Sequence, residues 1–186
     1  MKGHKLQITD VSIGPEPFPD DDDLRGRYHE VRVTVRNASK DTTLYVNEEV
    51  RHRRYDVATK TLSLGFHEEE YDGGSRITSR GFHEPPQTAI EPGSEVVLVV
   101  PVVKRFVNID THARRGENVE DLDTTGVEHV VCRVAYDEAP FRPSGAARSG
   151  LEKHQEFAKW GRRVEGRCRV GRPGDSESGG GHAIAR

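Results

Sequence analysis

The chain has 186 residues, of which 33% are hydrophobic and 32% charged, with a formal net charge of −3. This length suits one ordinary domain with appendages, or two very small domains, and the low apolar fraction predicts a modest core, a heavily solvated surface and some disorder. Charge is unevenly placed: Arg142 to Arg172 holds nine basic and three acidic residues, so this stretch carries +6 and the remainder −9.

In chain order the strand signals come first. "KLQITDVSI" alternates through Leu6 and Ile8 and, after Asp10, through Val11 and Ile13. "YHEVRVTVRNAS" puts Val31, Val33 and Val35 on one face and Arg32, Thr34 and Arg36 on the other, the pattern of a sheet with one buried and one wet face. Asn37-Ala38-Ser39 then reads as a turn. "TTLYVNEEVRHRRYDV" predicts a strand, followed by the turn "ATK" and the strand "TLSLGFHE". "AIEPGSEVVLVVPVV" predicts a Pro-Gly turn and a central strand buried on both faces. In "VEHVVCRVAYDEAPF" the parity of Val130, Cys132, Val134 and Tyr136 predicts the core face. "PSGAARSG" reads as a linker, "LEKHQEFAKWGRRV" as a short helix starting after Ser149, "VEGRCRVGRP" as a further strand, and the stretch from Gly174 onward as a polar tail. About seven short strands before the helix predict an antiparallel sandwich.

Three features in this order resemble a known group: a Val-x-Val-x-Val strand ending at Asn37-Ala38-Ser39, a strand with Tyr55-Asp56, and Glu91-Pro92-Gly93 leading into a valine-rich strand. They are similar to the bacterial immunoglobulin-like sandwiches, and weakly to the intracellular proteinase-inhibitor type, over residues 28–103. The tryptophan-rich stretch expected of that inhibitor type is absent, since Trp160 is the only Trp and lies elsewhere. The resemblance therefore implies a fold and not an inhibitory activity.

The chemistry-bearing candidates are few. "GFHEEEYDGGSRITSRGFHE", Gly65 to Glu84, carries Gly-Phe-His-Glu at both ends. Folded about Gly74, it predicts a hairpin with Phe66 facing Phe82, Gly65 facing His83 and His67 facing Gly81, since aromatic pairs stabilise ladders and glycine makes room beside a ring. His67 and His83 would then share a face, and two imidazoles can hold a divalent metal, but no third ligand is evident on that face. The structural hairpin is the preferred reading over the metal site. Asp20 to Asp23, and Glu120, Asp121 and Asp123 in "ENVEDLDTTG", lack the spacing of a calcium loop and read as solvated acidic loops. Arg51, His52, Arg53 and Arg54 read as a charged sheet face or edge, with phosphate binding as the alternative. Cys132 and Cys168 each stand alone and read as free thiols, Cys132 as a small hydrophobe. No nucleophile elbow and no phosphate- or dinucleotide-binding glycine loop occurs.

The sequence thus predicts an all-β, antiparallel immunoglobulin-like β-sandwich over 1–143. A basic helical and strand appendage is expected over 144–172 and a disordered tail over 173–186. No secretory signal is legible at the N-terminus, and the longest apolar run, Val96 to Val103, is too short to span a membrane, so a cytoplasmic location is expected. The expected function is a non-catalytic interaction or scaffolding module whose partner is another protein rather than nucleic acid. No catalytic, cofactor-binding or metal residue is assigned. An inhibitor of an intracellular protease, and a metal-binding protein or metalloenzyme using His67 and His83, are the alternatives.

Overall fold

The computed structural model describes residues 4–14, 23, 26–69, 82–109, 119–147 and 149–170. The strands in chain order are β1 (Leu6–Gly14), β2 (Tyr28–Asn37), β3 (Leu44–Asn47), β4 (His52–Asp56), β5 (Thr61–Phe66), β6 (Gln87–Ile90), β7 (Glu95–Val103), β8 (Arg105–Ile109), β9 (Val119–Asp123), β10 (His129–Asp137) and β11 (Arg162–Arg169), with the helix α1 (Gly150–Lys159) between the last two. The protein is mostly β and sandwich-like, with one short helix. The polar tail from Gly174 and residues 20–22 of the acid run lie outside the described residues.

Sheet A has the order β1-β2-β7. Alternation dictates its two faces. Val31, Val33 and Val35 are fully buried and stand opposite Val100, Leu98 and Val96 of β7. In β1 the alternation changes parity at Asp10, and the register slips between Ile8 and Asp10 at that point. The bulge keeps both Leu6 and Val11 in the core by taking one residue out of step. β7 differs from the expectation of a strand buried on both faces. Leu98, Val100 and Val102 are buried, but Val97 and Val99 are 49% and 52% exposed. Its only sheet neighbour among the described residues is β2, so it is an edge strand and its second face meets solvent.

Sheet B is built around β10. Strand β11 pairs antiparallel with β10 from His129 to Tyr136. A strand has two edges, so β5, parallel beside His129 to Val134, and β3, antiparallel at Tyr136 and Asp137, must follow one another along the other edge. β4 lies outside β5, and β6 outside β3. The β5–β10 pair is the one parallel ladder among the described strands, a departure from the wholly antiparallel expectation. Val130, Cys132, Val134 and Tyr136 face the core with at most 1% exposure, as their parity predicted. The expected long strand over Thr42 to Val57 is split into β3 and β4 at Asn47, whose side chain bonds both the amide and the carbonyl of Glu49. A further correction concerns "ENVEDLDTTG": residues 119–123 form β9, paired with β8 as a two-stranded ribbon, instead of an acidic loop.

The sandwich closes where β11 meets β1. A Cβ on Gly166 would stand 2.5 Å from Ile8 Cγ2, so glycine here lets the two edges approach. The polar link between the sheets is Asn37, which is fully buried. Its Nδ2 donates to the carbonyls of Thr42 (2.7 Å) and Ile90 (2.8 Å), and its Oδ1 accepts from Ser39 N (2.9 Å) and Ser39 Oγ (2.6 Å). The Asn-Ala-Ser turn thus ties the end of β2 to the entry of β3 and the end of β6.

The segment after Pro143 is continuous with sheet B. Ser149 and Glu152 form a capping box, with Ser149 Oγ accepting from Glu152 N and Glu152 Oε2 accepting from Ser149 N. Phe157 and Ala158 are buried, whereas Leu151 is 41% exposed. Phe157 joins Phe141 and Trp160 in an aromatic cluster, and Trp160 Nε1 donates to the Ala139 carbonyl at 3.2 Å. Gly161 then turns the chain into β11. Its φ is +75°, and a Cβ would lie 2.5 Å from the Tyr136 carbonyl oxygen, so both conformation and space require glycine.

Asn37→Ala leaves the buried Ile90 carbonyl without its side-chain donor and removes one of the two side-chain donors to the Thr42 carbonyl, and it is expected to cost about 2 kcal/mol. Urea unfolding measures this, and a loss below about 0.5 kcal/mol would contradict the linking role. Phe157→Ala is expected to destabilise by about 3 kcal/mol and to shift Trp160 emission to longer wavelength. Fully water-exposed Trp160 emission in the unaltered protein would contradict the docked helix.

Candidate functional site

The richest polar cluster lies on the outer face of sheet B. Side chains in register across neighbouring strands share a face. The pairs His52–Gly65, Gly65–Arg133 and Arg133–Glu165 therefore set His52, Gly65, Arg133 and Glu165 in one outward row across β4, β5, β10 and β11. His67 follows Gly65 by two residues and Arg163 precedes Glu165 by two, so both fall next to that row. Gly65 is the enabling residue. A Cβ there would lie 1.8 Å from His52 Nε2, and without it the His52 ring lies over the strand and reaches His67.

His52 Nε2 and His67 Nε2 are 3.1 Å apart, with the rings at 88° and their centroids 4.5 Å apart. His67 is 5% exposed. Its pKa is lowered to about 4, first by burial, then by the positive charge His52 can carry and by Arg163. His52 is also lowered, first by burial, with Glu69 and Glu68 opposing that effect and Arg133 and Arg163 reinforcing it. The Glu69 carboxylate stands 3.5 Å from His52 Nδ1. A cavity of about 310 Å³ opens beside this pair, lined by His67, Arg133, Arg163, Val164 and Glu165. Around it, His154 Nδ1 meets Glu68 Oε2 at 3.2 Å, and Arg51 stacks its guanidinium 5.4 Å from the Phe157 ring centroid while bonding Glu49 at 2.9 Å.

The expected hairpin partnership of His67 and His83 is not made. Both edges of β5 are already occupied, by β4 and by β10, so no edge remains for the chain around Phe82. Phe66 is buried opposite Val134, whereas Phe82 packs against Phe141 and His154. His83 is exposed, and its carbonyl accepts from Arg51. Gly65 faces His52 of β4 and not the predicted His83. The turn residues 70–81 lie outside the described residues. Of the basic run, Arg53 and Arg54 are exposed, while Arg51 and His52 are drawn into the cluster. The basic residues of β11 do not meet a broad acidic face: Arg167 and Arg133 share Glu165, and Arg163 donates to the Ala158 and Glu68 carbonyls. His52 and His154 were not singled out as site residues by sequence reading. The usable signal was the single Gly65, once β4 is known to be its neighbour.

Among the described residues, no group of three or more His, Cys, Asp or Glu side chains is arranged to hold a metal ion. Cys132 and Cys168 are free thiols, the first buried and the second half-buried. Burial pushes the Cys132 thiol up to about 12 and the Cys168 thiol up to about 11. Among the described residues, no helix is long and apolar enough to cross a membrane. The chain matches no protein-family model, no curated protein and no solved structure.

The thiolate is the reactive form, so Cys132 is expected to label with a disulfide reagent at pH 8 far more slowly than Cys168. Labelling of Cys132 as fast as a free thiol would contradict its burial. The folded Cys132 keeps its proton at a pH where the unfolded chain, titrating near 9, has lost it. The folded state then holds more protons, so stability falls as pH rises from about 9 towards 12. Cys132→Ser is expected to flatten that fall in a denaturation series across the range.

Proposed function

We propose that this protein is a non-catalytic interaction module that takes up an extended apolar segment of another protein on strand β7. The observation that carries this reading is the pair of exposed valines, Val97 and Val99, on a strand whose second edge is open among the described residues. Open edges offer unpaired backbone groups to an incoming strand, and alternate outward side chains supply the specificity. The ladder available is short. Pro101 carries no N–H, so an added strand would pair along Glu95 to Val100. The outward residues beside the two valines on β2 are Thr34 and Arg32, which give the apolar strip a polar border. On the other sheet, α1 and its aromatic cluster pack beside Phe82 and Phe141. A cytoplasmic setting, with reduced thiols, belongs to the same reading.

Val97→Lys and Val99→Asp change side chains that are already half exposed, so each is expected to leave the melting temperature within about 2 °C. In extract of the source cell, the unaltered protein should retain a stoichiometric partner that both variants lose and that Val57→Lys keeps. Retention of the partner by both β7 variants would overturn the assignment.

A further inference from the structure

We propose that His52 and His67 form a binding site for a borderline-soft divalent cation, Zn²⁺, Ni²⁺ or Cu²⁺, held between their two Nε2 atoms. The inference starts from where the protons of these rings can sit. A neutral imidazole carries one N–H and one bare nitrogen. His52 Nδ1 faces the Glu69 carboxylate at 3.5 Å, which favours a proton on Nδ1. On His67, Nδ1 is buried without a well-formed hydrogen bond. His52 thus presents a bare Nε2, and His67 presents one in the tautomer that carries its proton on Nδ1.

With both protons on Nδ1, the two Nε2 atoms, 3.1 Å apart, turn two lone pairs towards a shared occupant. A proton on one Nε2, donated to the other, is one occupant. A metal ion is the other. Zinc–imidazole bonds of about 2.0–2.1 Å at the observed separation subtend roughly 100° at the metal, close to a tetrahedral angle. Acceptors behind Nδ1 are the usual means by which ligating histidines are oriented. Imidazole nitrogen selects Zn, Ni and Cu over the hard cations Ca²⁺ and Mg²⁺. Water or an exogenous anion would complete the shell, and a cavity with Arg133 and Arg163 on its wall lies beside His67. Glu68 and Glu69 supply negative charge on the His52 side, against those two arginines.

Gly65 gives a test that removes no ligand. Its missing Cβ is what admits the His52 ring, and the atoms a methyl group would strike belong to that movable side chain. The experiment uses the full chain without a histidine tag, stripped with a chelator and titrated with Zn²⁺ by calorimetry, with thermal unfolding in parallel. The unaltered protein should bind one equivalent and melt at a higher temperature with Zn²⁺ than without. His52→Gln and Gly65→Ala should each weaken binding at least tenfold and abolish the Zn²⁺-dependent rise in melting temperature. His83→Ala and His154→Ala should keep both. His52 is partly exposed, so His52→Gln should fold even if His67→Ala does not, and circular dichroism of the metal-free variants checks this. Absence of saturable binding in the unaltered protein, or binding by His52→Gln within twofold of it, would overturn the site. Loss of binding in His83→Ala would overturn it equally.

Discussion

Strand β10 must be paired along both edges, and most of sheet B follows from that constraint. Its backbone groups from His129 to Tyr136 bond β11 on one side, so β5 and β3 have to divide the other side between them. A buried strand tolerates no unpaired amide, because each lost bond leaves a group removed from water. The Val130, Cys132, Val134 and Tyr136 face meets Leu62, Leu64 and Phe66 from β5 and Val164 from β11 across those ladders. The C-terminal segment is therefore part of the sheet, and Gly161 is the hinge that lets it return to β10 after α1.

The same pairing creates the histidine cluster. The core face of β10 dictates what its outer face holds one residue away, and Arg133 and Ala135 bring Glu165 and Arg163 into line with Gly65 and His67. Polar groups half-buried in this way usually come fully bonded. Here His67 Nδ1, His154 Nε2 and Arg51 Nε are buried without a hydrogen bond. Of the three, His67 lines the cavity, and Arg51 Nε stands 3.4 Å from the Glu68 carboxylate. The cluster's energetics are those of desolvated nitrogen bases and shared carboxylates, while the rest of sheet B is held by aliphatic packing.

Sheet A is built differently. Its inner valines close the core, its outer face carries Arg32, Thr34, Arg36 and the exposed Val97 and Val99, and Asn37 anchors its end to sheet B through two carbonyls. The two sheets thus offer chemically distinct surfaces. One is an edge strand with two exposed valines, and the other is a face with a small polar cavity. A partner on β7 and an ion at His52 and His67 would lie on different sheets, so neither requires the other.

Local pattern settled what depends only on near neighbours. The period of two in β2 and β10 fixed their buried faces, the alternation resumes after Asp10 where β1 has its bulge, and α1 begins after Ser149 as the sequence indicated. Each of these rests on geometry within a few residues. What the sequence could not settle was which strand lies beside which. "GFHE" occurs twice, and a hairpin joining the two copies is the shortest loop to close, but β4 and β10 took both edges of β5. The winning arrangement buries Leu62, Leu64 and Phe66 against residues nearly seventy positions away, a gain no local window contains. For the same reason His52, and not His83, reached His67. The valine run of β7 gave no sign of its wet face, since an unbroken apolar stretch has no alternation to read, and only its place at the edge of sheet A exposed Val97 and Val99.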